Sequence, residues 1–170
     1  MRIAVIGAGF SGLAVSWNLL NLKNQVVVFD LFLEGASAIA AGLLHPYVGE
    51  EGRRSLFATE AMQKTEELLH IATRSLREEV FREGIVRVAQ NEKQRKTYKN
   101  HCVVFRDIID LGNDHFLIKS GKTVFCKRYL QGMRLAIAER GGQFITEKIA
   151  DLEQLKIFDQ IVVAAGASIR

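Results

Sequence analysis

Residues 2–30 read RIAVIGAGFSGLAVSWNLLNLKNQVVVFD, and their pattern decides the fold. Arg2 to Ile6 is a short β-branched run, the mark of a buried strand. Gly7 to Gly12 is a turn. Ser11 to Leu22 carries Leu13, Trp17 and Leu20 at helical spacing and is closed by Lys23-Asn24. Gln25 to Phe29 is a second strand, ended by Asp30. Strand, helix and strand within about 30 residues form a βαβ unit, which requires a parallel sheet and a right-handed crossover.

Gly7-x-Gly9-x-x-Gly12 lies directly after the first strand and opens the helix. Gly7 permits the tight turn, Gly9 lets a pyrophosphate approach the backbone, and Gly12 lets helix and strand pack closely. The amides of Phe10, Ser11 and Gly12 then stand at a helix N-terminus, whose partial positive charge suits phosphate. Asp30 lies 21 residues after Gly9. An acid there accepts hydrogen bonds from an adenosine ribose and disfavours a 2′-phosphate. A strand-end Asp on its own reads as an ordinary turn cap. With strand, glycines, helix and acid all in order, dinucleotide binding is the expectation.

Composition agrees with a globular domain. The chain has 170 residues, 48% apolar and 25% charged, with 23 basic against 19 acidic side chains. That balance excludes wholesale disorder and does not diagnose a nucleic-acid binder. Two cysteines, Cys102 and Cys126, make neither a disulfide framework nor a cysteine zinc site, and a reducing, cytoplasmic setting is expected. Ile3 to Leu22 is free of charge and long enough to span a bilayer. Gly7, Gly9 and Gly12 interrupt it at the spacing of a nucleotide loop, so a membrane or signal reading is rejected.

Beyond Asp30, a connection from Leu31 to Gly52 is rich in small residues. Leu56 to about Glu83 reads as one long helix or two, with Ala61, Leu68, Ala72 and Leu76 inward. Strands are expected at Ile85 to Ala89 and Cys102 to Phe105, with a polar helix or loop at Asn91 to Asn100. A hairpin is expected to turn at Ser120-Gly121. Lys127 to Arg140 reads as an amphipathic helix capped by Gly141-Gly142. Strands follow at Gln143 to Thr146 and Gln160 to Ala164.

The run from Gly35-Ala36-Ser37 to Ala40-Ala41-Gly42-Leu43-Leu44-His45-Pro46 resembles the second flavin-contacting segment of the D-amino acid oxidase family of FAD enzymes. That family includes glycine oxidase, sarcosine oxidase and the flavin domain of the tRNA methylaminomethyl-thiouridine enzyme. Ile161 to Ala167 is similar to the family's closing strand, which ends in Ala-x-Gly-Ala. The resemblance implies an α/β fold: a parallel FAD-binding Rossmann-like sheet of the glutathione-reductase type, with part of a strand-rich substrate domain inserted. It implies FAD as cofactor. Ser37, Ala41, Gly42, Leu43, Ala165 and Gly166 join the glycine motif as cofactor contacts, and Ile149 meets the adenine through its backbone. Residues 1–80 and 120–170 then form the FAD-binding part and 81–119 the substrate-domain excursion. The implied reaction oxidises a C–N bond of an amino acid or related small amine, and the resulting imine is hydrolysed.

Asp30 stands where Glu is commoner in such enzymes, and the chain is roughly half their length. It is therefore expected to be the N-terminal part of a longer enzyme. Two rivals remain open: an NAD-dependent dehydrogenase and a non-catalytic FAD- or nucleotide-binding module. No catalytic residue is assigned. His45 reads first as a loop histidine before Pro46, and the other histidines show no metal spacing. The basic residues Arg74, Arg77, Arg82, Arg87, Lys93, Arg95, Lys96 and Lys99 would suit a tRNA footprint. The interleaved Glu66, Glu67, Glu78, Glu79, Glu83 and Glu92 favour a solvated mixed-charge face instead.

Overall fold

The computed structural model describes residues 1–32 and 35–168. In chain order, β1 (Arg2–Ile6) leads into α1 (Phe10–Asn21) and β2 (Gln25–Asp30). A single helical turn, α2 (Ala36–Ile39), is followed by three two-residue strands, β3 (Leu43–Leu44), β4 (Tyr47–Val48) and β5 (Arg53–Arg54). Then come α3 (Ala58–Leu76), β6 (Phe81–Val88), α4 (Glu92–Val104), β7 (Ile108–Gly112), β8 (His115–Val124) and α5 (Cys126–Glu139). The chain closes with β9 (Gln143–Thr146) and β10 (Gln160–Val163). These elements form two compact units: Met1–Ala40, Leu68–Val80 and Cys126–Arg170 in the first, Ala41–Glu67 and Phe81–Phe125 in the second.

In the first unit the strands lie in the order β10-β1-β2-β9, all parallel. Ile3, Ala4, Val5 and Val26 to Phe29 are buried, as strands covered on both faces must be. On one face Ala4, Val27 and Phe29 pack with Leu155, flanked by Ile149, Phe158 and Ile161. On the other, α1 packs beside α5. Gly132 on α5 allows a close approach, since a Cβ there would lie 2.4 Å from the Ala72 carbonyl oxygen. Along α3 the buried residues are Ala58, Leu69 and Ala72, while Ala61 is exposed. The helix ends before Arg77, whose φ is +59°, so Phe81 to Glu83 belong to a strand rather than to the long helix expected.

The second unit is built on the antiparallel sheet β3-β8-β6, with β7 also paired to β8. Its core is Tyr47, Tyr98, Ile108, Phe116 and Ile118. Two expectations fail here. Ser120-Gly121 does not turn: β8 runs straight through it, pairing Lys122 with Glu83 on one side and Leu44 on the other. The hairpin turns instead at Asn113-Asp114, both left-handed at φ +48° and +64°, the two-residue geometry that matches strand twist. Nor is Cys102 to Phe105 a strand. It is the end of α4, whose first turn is set by Asn91 accepting the Gln94 N–H at 2.8 Å. Tyr98 and Cys102, one turn apart, carry the helix's apolar stripe to the core and leave Val103 and Val104 in solvent.

Residues 41–67 pack in this second unit, whereas the division read from sequence kept everything before residue 81 with the parallel sheet. Long-range pairing explains the difference. Leu43 pairs with Thr123, and Tyr47 is buried in the same cluster as Tyr98 and Phe116.

Candidate functional site: a nucleotide cradle

The cradle stands at the carboxyl end of the parallel sheet. Gly7 leaves β1 at φ +105°, and its N–H donates to the Phe29 carbonyl at 2.8 Å, stitching the turn to β2. On the other side the Ala164 N–H donates to the Ile6 carbonyl at 2.8 Å. A Cβ on Gly7 would lie 2.4 Å from the Ala164 oxygen and 3.1 Å from the Ala165 Cα. A Cβ on Gly12 would lie 1.8 Å from the Gly7 oxygen. Both glycines are thus demanded by backbone meeting backbone, and no side chain can move aside to admit a larger residue.

Gly9 caps α1 in extended conformation without a side-chain hydrogen bond, and the first turn holds no acid. The first intrahelical bond runs from the Leu13 N–H to the Gly9 carbonyl at 3.0 Å. Phe10, Ser11 and Gly12 therefore begin the helix with N–H groups that have no intrahelical acceptor. Ser37 approaches this end: its Oγ accepts the Phe10 N–H at 3.2 Å and would be 2.9 Å from a Cβ on Gly9. At the end of β2, Asp30 accepts the Ala8 N–H on Oδ2 at 2.6 Å and the Phe32 N–H on Oδ1 at 2.5 Å. The carboxylate is locked to the glycine turn and still has lone pairs to offer a ribose.

The structure thus brings together Gly7, Gly9, Phe10, Ser11, Gly12, Asp30, Ser37 and Ala165. Gly166 follows at φ +57° with open space at its Cβ position. Ile149 lies on the cluster of Ala4, Val27, Phe29 and Leu155. Ala41, Gly42 and Leu43 belong to the second unit. There Gly42 is left-handed at φ +71°, and its carbonyl accepts the Val124 N–H at 2.8 Å. Sequence reasoning missed Ala8 and Ala164, which act through backbone atoms and carry no side-chain signal.

His45, in the second unit, has its Nδ1 buried without a hydrogen-bond partner among the described residues. Burial, then the charge of Arg87, hold its pKa below the ordinary value. His101 stacks on Tyr47 at 4.8 Å, and its Nε2 lies 3.1 Å from the Gly52 oxygen. Cys126 is buried and its thiol pKa is raised by that burial. Among the described residues no group of His, Cys, Asp and Glu is arranged to hold a metal ion. Several of the basic residues are paired: Arg95 with Asp114 and Glu92, and Lys93 with Glu51. Among the described residues no helix is long and apolar enough to cross a membrane.

A strand, a glycine turn, an uncapped helix end and a strand-end acid define a dinucleotide-binding α/β fold. Residues 2–170 match the model of the FAD dependent oxidoreductase family (DAO), and the chain belongs to that family. Among solved structures, glycine oxidase from Bacillus cereus ATCC 14579 superposes with a TM-score of 0.68 at 20% identity, over 88% of this chain and 48% of that one. Glycine oxidase from Geobacillus kaustophilus gives 0.68 at 18%, over 85% of this chain and 46% of that one. Iminodiacetate oxidase from Chelativorans sp. BNC1 gives 0.67 at 18%, over 86% and 47%. The chain therefore spans about half the length of these enzymes. Among curated proteins none matches significantly. The cradle fits the family's cofactor: glycines where backbone must come close, free N–H groups for a pyrophosphate, and an acid fixed for a ribose.

Proposed function

We propose that this chain is the FAD-binding part of an oxidoreductase that oxidises a C–N bond of an amino acid or related small amine. The observation that carries the reading is the cradle itself, an uncapped α1 N-terminus 12 residues long beside a carboxylate already oriented by two backbone N–H groups. The FAD-dependent family supports the cofactor. The similar structures include a glycine oxidase, an iminodiacetate oxidase and an L-proline dehydrogenase, which supports the substrate class.

In this reading Gly7, Gly9 and Gly12 admit the pyrophosphate, the N–H groups of Ser11 and Gly12 bind it, and Phe10 joins them through the N–H it shares with Ser37. Ser37 turns its hydroxyl toward the same anion, and Asp30 takes the adenosine ribose. Ile149 meets the adenine through its backbone, while Ala165 and Gly166 let the chain lie against the cofactor. Ala41 and Gly42, which present little or no side chain, and the backbone of Leu43 serve its flavin end. Bound FAD supplies the two-electron acceptor for the amine, and the resulting imine is hydrolysed by water. The strand-rich second unit is the beginning of a substrate domain. A count of two cysteines, Cys102 and Cys126, too few for a disulfide framework, supports a reducing, cytoplasmic setting.

The test is an absorbance spectrum of the purified chain with and without added FAD, beside an NAD titration in the same buffer. A yellow chromophore released by denaturation and identified as FAD is the expected result. Saturable NAD binding without FAD binding would overturn the reading in favour of a nicotinamide-dependent dehydrogenase.

A further inference from the structure

Arg134, in the first unit, is an unusual arginine. Its guanidinium carbon lies 4.7 Å from the centroid of the Phe32 ring. Its Nε is buried with no hydrogen-bond partner, and it forms no ion pair among the described residues. Two other arginines of the same unit have polar partners: Arg140 donates to the Asn21 side-chain oxygen at 2.5 Å, and Arg128 lies 3.6 Å from the Glu78 carboxylate. Among the described residues Arg134 is thus held by an aromatic face, with its buried Nε unpartnered.

The ring beneath it is held deliberately. Phe32 is left-handed, at φ +55°, a conformation that a bulky residue adopts only when its surroundings impose it. Its N–H donates to Asp30 Oδ1, and its ring stands edge-on to Phe144 at 6.1 Å. The other Asp30 oxygen accepts the Ala8 N–H of the glycine turn. A continuous set of contacts therefore runs from the glycine turn through Asp30 and Phe32 to the guanidinium of Arg134. The side chain is half-buried, so the shelf is not sealed over.

We infer that Arg134, laid on Phe32, is the stacking platform for the adenine of the bound nucleotide. The inference rests on the proposed cofactor reading and assigns a residue to its nucleotide end. A guanidinium is planar, weakly hydrated and stacks on π-faces. One face is taken by Phe32, and the other receives the base, as arginine planes do in nucleic-acid recognition. A lysine would keep the charge but lose the plane, and this separates stacking from simple attraction to phosphate.

The experiment titrates FAD, ADP and FMN into the wild-type chain and into Arg134→Ala and Arg134→Lys, with thermal melting of each ligand-free protein as the control. Both variants should bind FAD and ADP about tenfold more weakly, the scale of a desolvated cation–π contact. FMN, which has no adenine, should show no difference, and the ligand-free melting temperature should not fall. Wild-type affinity for ADP in Arg134→Ala overturns the inference and leaves the cofactor reading standing. Full rescue by Arg134→Lys also overturns it, because charge alone then suffices. A wild-type chain that binds neither FAD nor ADP overturns both.

Discussion

The two sheets of this molecule solve the burial problem differently. In the first unit β2 is buried at Val26, Val27, Val28 and Phe29 in succession, because a parallel sheet is covered on both faces. In the second unit β7 is buried only at Ile108, and β6 alternates between Ile85 inside and Val86 in solvent. One sheet is held by close backbone approach around glycines, the other by a cluster of large rings. Rigidity of the first kind suits a site that must hold backbone N–H groups in fixed directions. The second kind makes a one-sided surface.

The comparison breaks most sharply at the rings. Phe116 is fully buried between Tyr98, at 5.1 Å, and the rest of its cluster. Phe116→Ala should cost about 4 kcal/mol, the usual price of a large core ring. Hydrogen exchange should show the loss in the amides of β6, β7 and β8. If β1 and β2 lost protection equally, the independence of the two cores would be refuted.

Gly12→Ala probes the other strategy. Its new methyl meets the Gly7 carbonyl at 1.8 Å, so α1 must move away from β1. A destabilisation of about 3 kcal/mol, the upper range for an overpacked site, is expected in chemical unfolding. FAD affinity should fall with it, because the N–H groups of Phe10 to Gly12 are displaced. Unchanged stability would mean that the close approach of helix and strand is not required.

These particulars also show what the sequence carried. The βαβ unit was legible because each signal was local: a β-branched run, a glycine triplet, a helical stripe and a strand-end acid within 30 residues. β9 matches its expected bounds, Gln143 to Thr146. The second unit was misread because its signals are non-local. Ser120-Gly121 has turn composition, yet both its flanks are paired by strands from distant sequence, and pairing overrides propensity. Val103 and Val104 have strand propensity but sit in the last turn of a helix already nucleated at Asn91. Of the cradle, the residues that act through a missing Cβ or a carboxylate were legible. Ala8, Ala164 and Arg134 were not, since nothing about an alanine or a mid-helix arginine announces its partner.

Alkaline titration sharpens the contrast at a smaller scale. Tyr129, on α5, is buried and its phenol is pushed up from 10.0 to about 12 by that burial. Between these values the unfolded chain loses the proton while the folded chain keeps it, so stability falls as pH rises. The group accounts for about 3 kcal/mol at the top of the window and for nothing below pH 10. Urea midpoints of the wild type should therefore fall steeply above pH 10, and Tyr129→Phe should remove part of the slope. An identical slope in the variant would show that Tyr129 ionises freely in the folded chain.

The smallest effect belongs to His45, on the one-sided unit. Burial, then the charge of Arg87, lower its pKa from the ordinary 6.5. The unfolded histidine takes a proton near that value while the folded one resists, so the unfolded state binds more protons as pH falls. Stability contributed by the neutral imidazole is complete above 6.5 and is lost as pH falls below it toward the lowered folded value. His45→Gln, which cannot titrate, should flatten the stability profile on the acid side and leave it unchanged at pH 8. If the wild type gained stability on acidification through this range, the imidazole would have to be charged in the folded state. An acceptor would then have to face the Nδ1 that is unpartnered among the described residues.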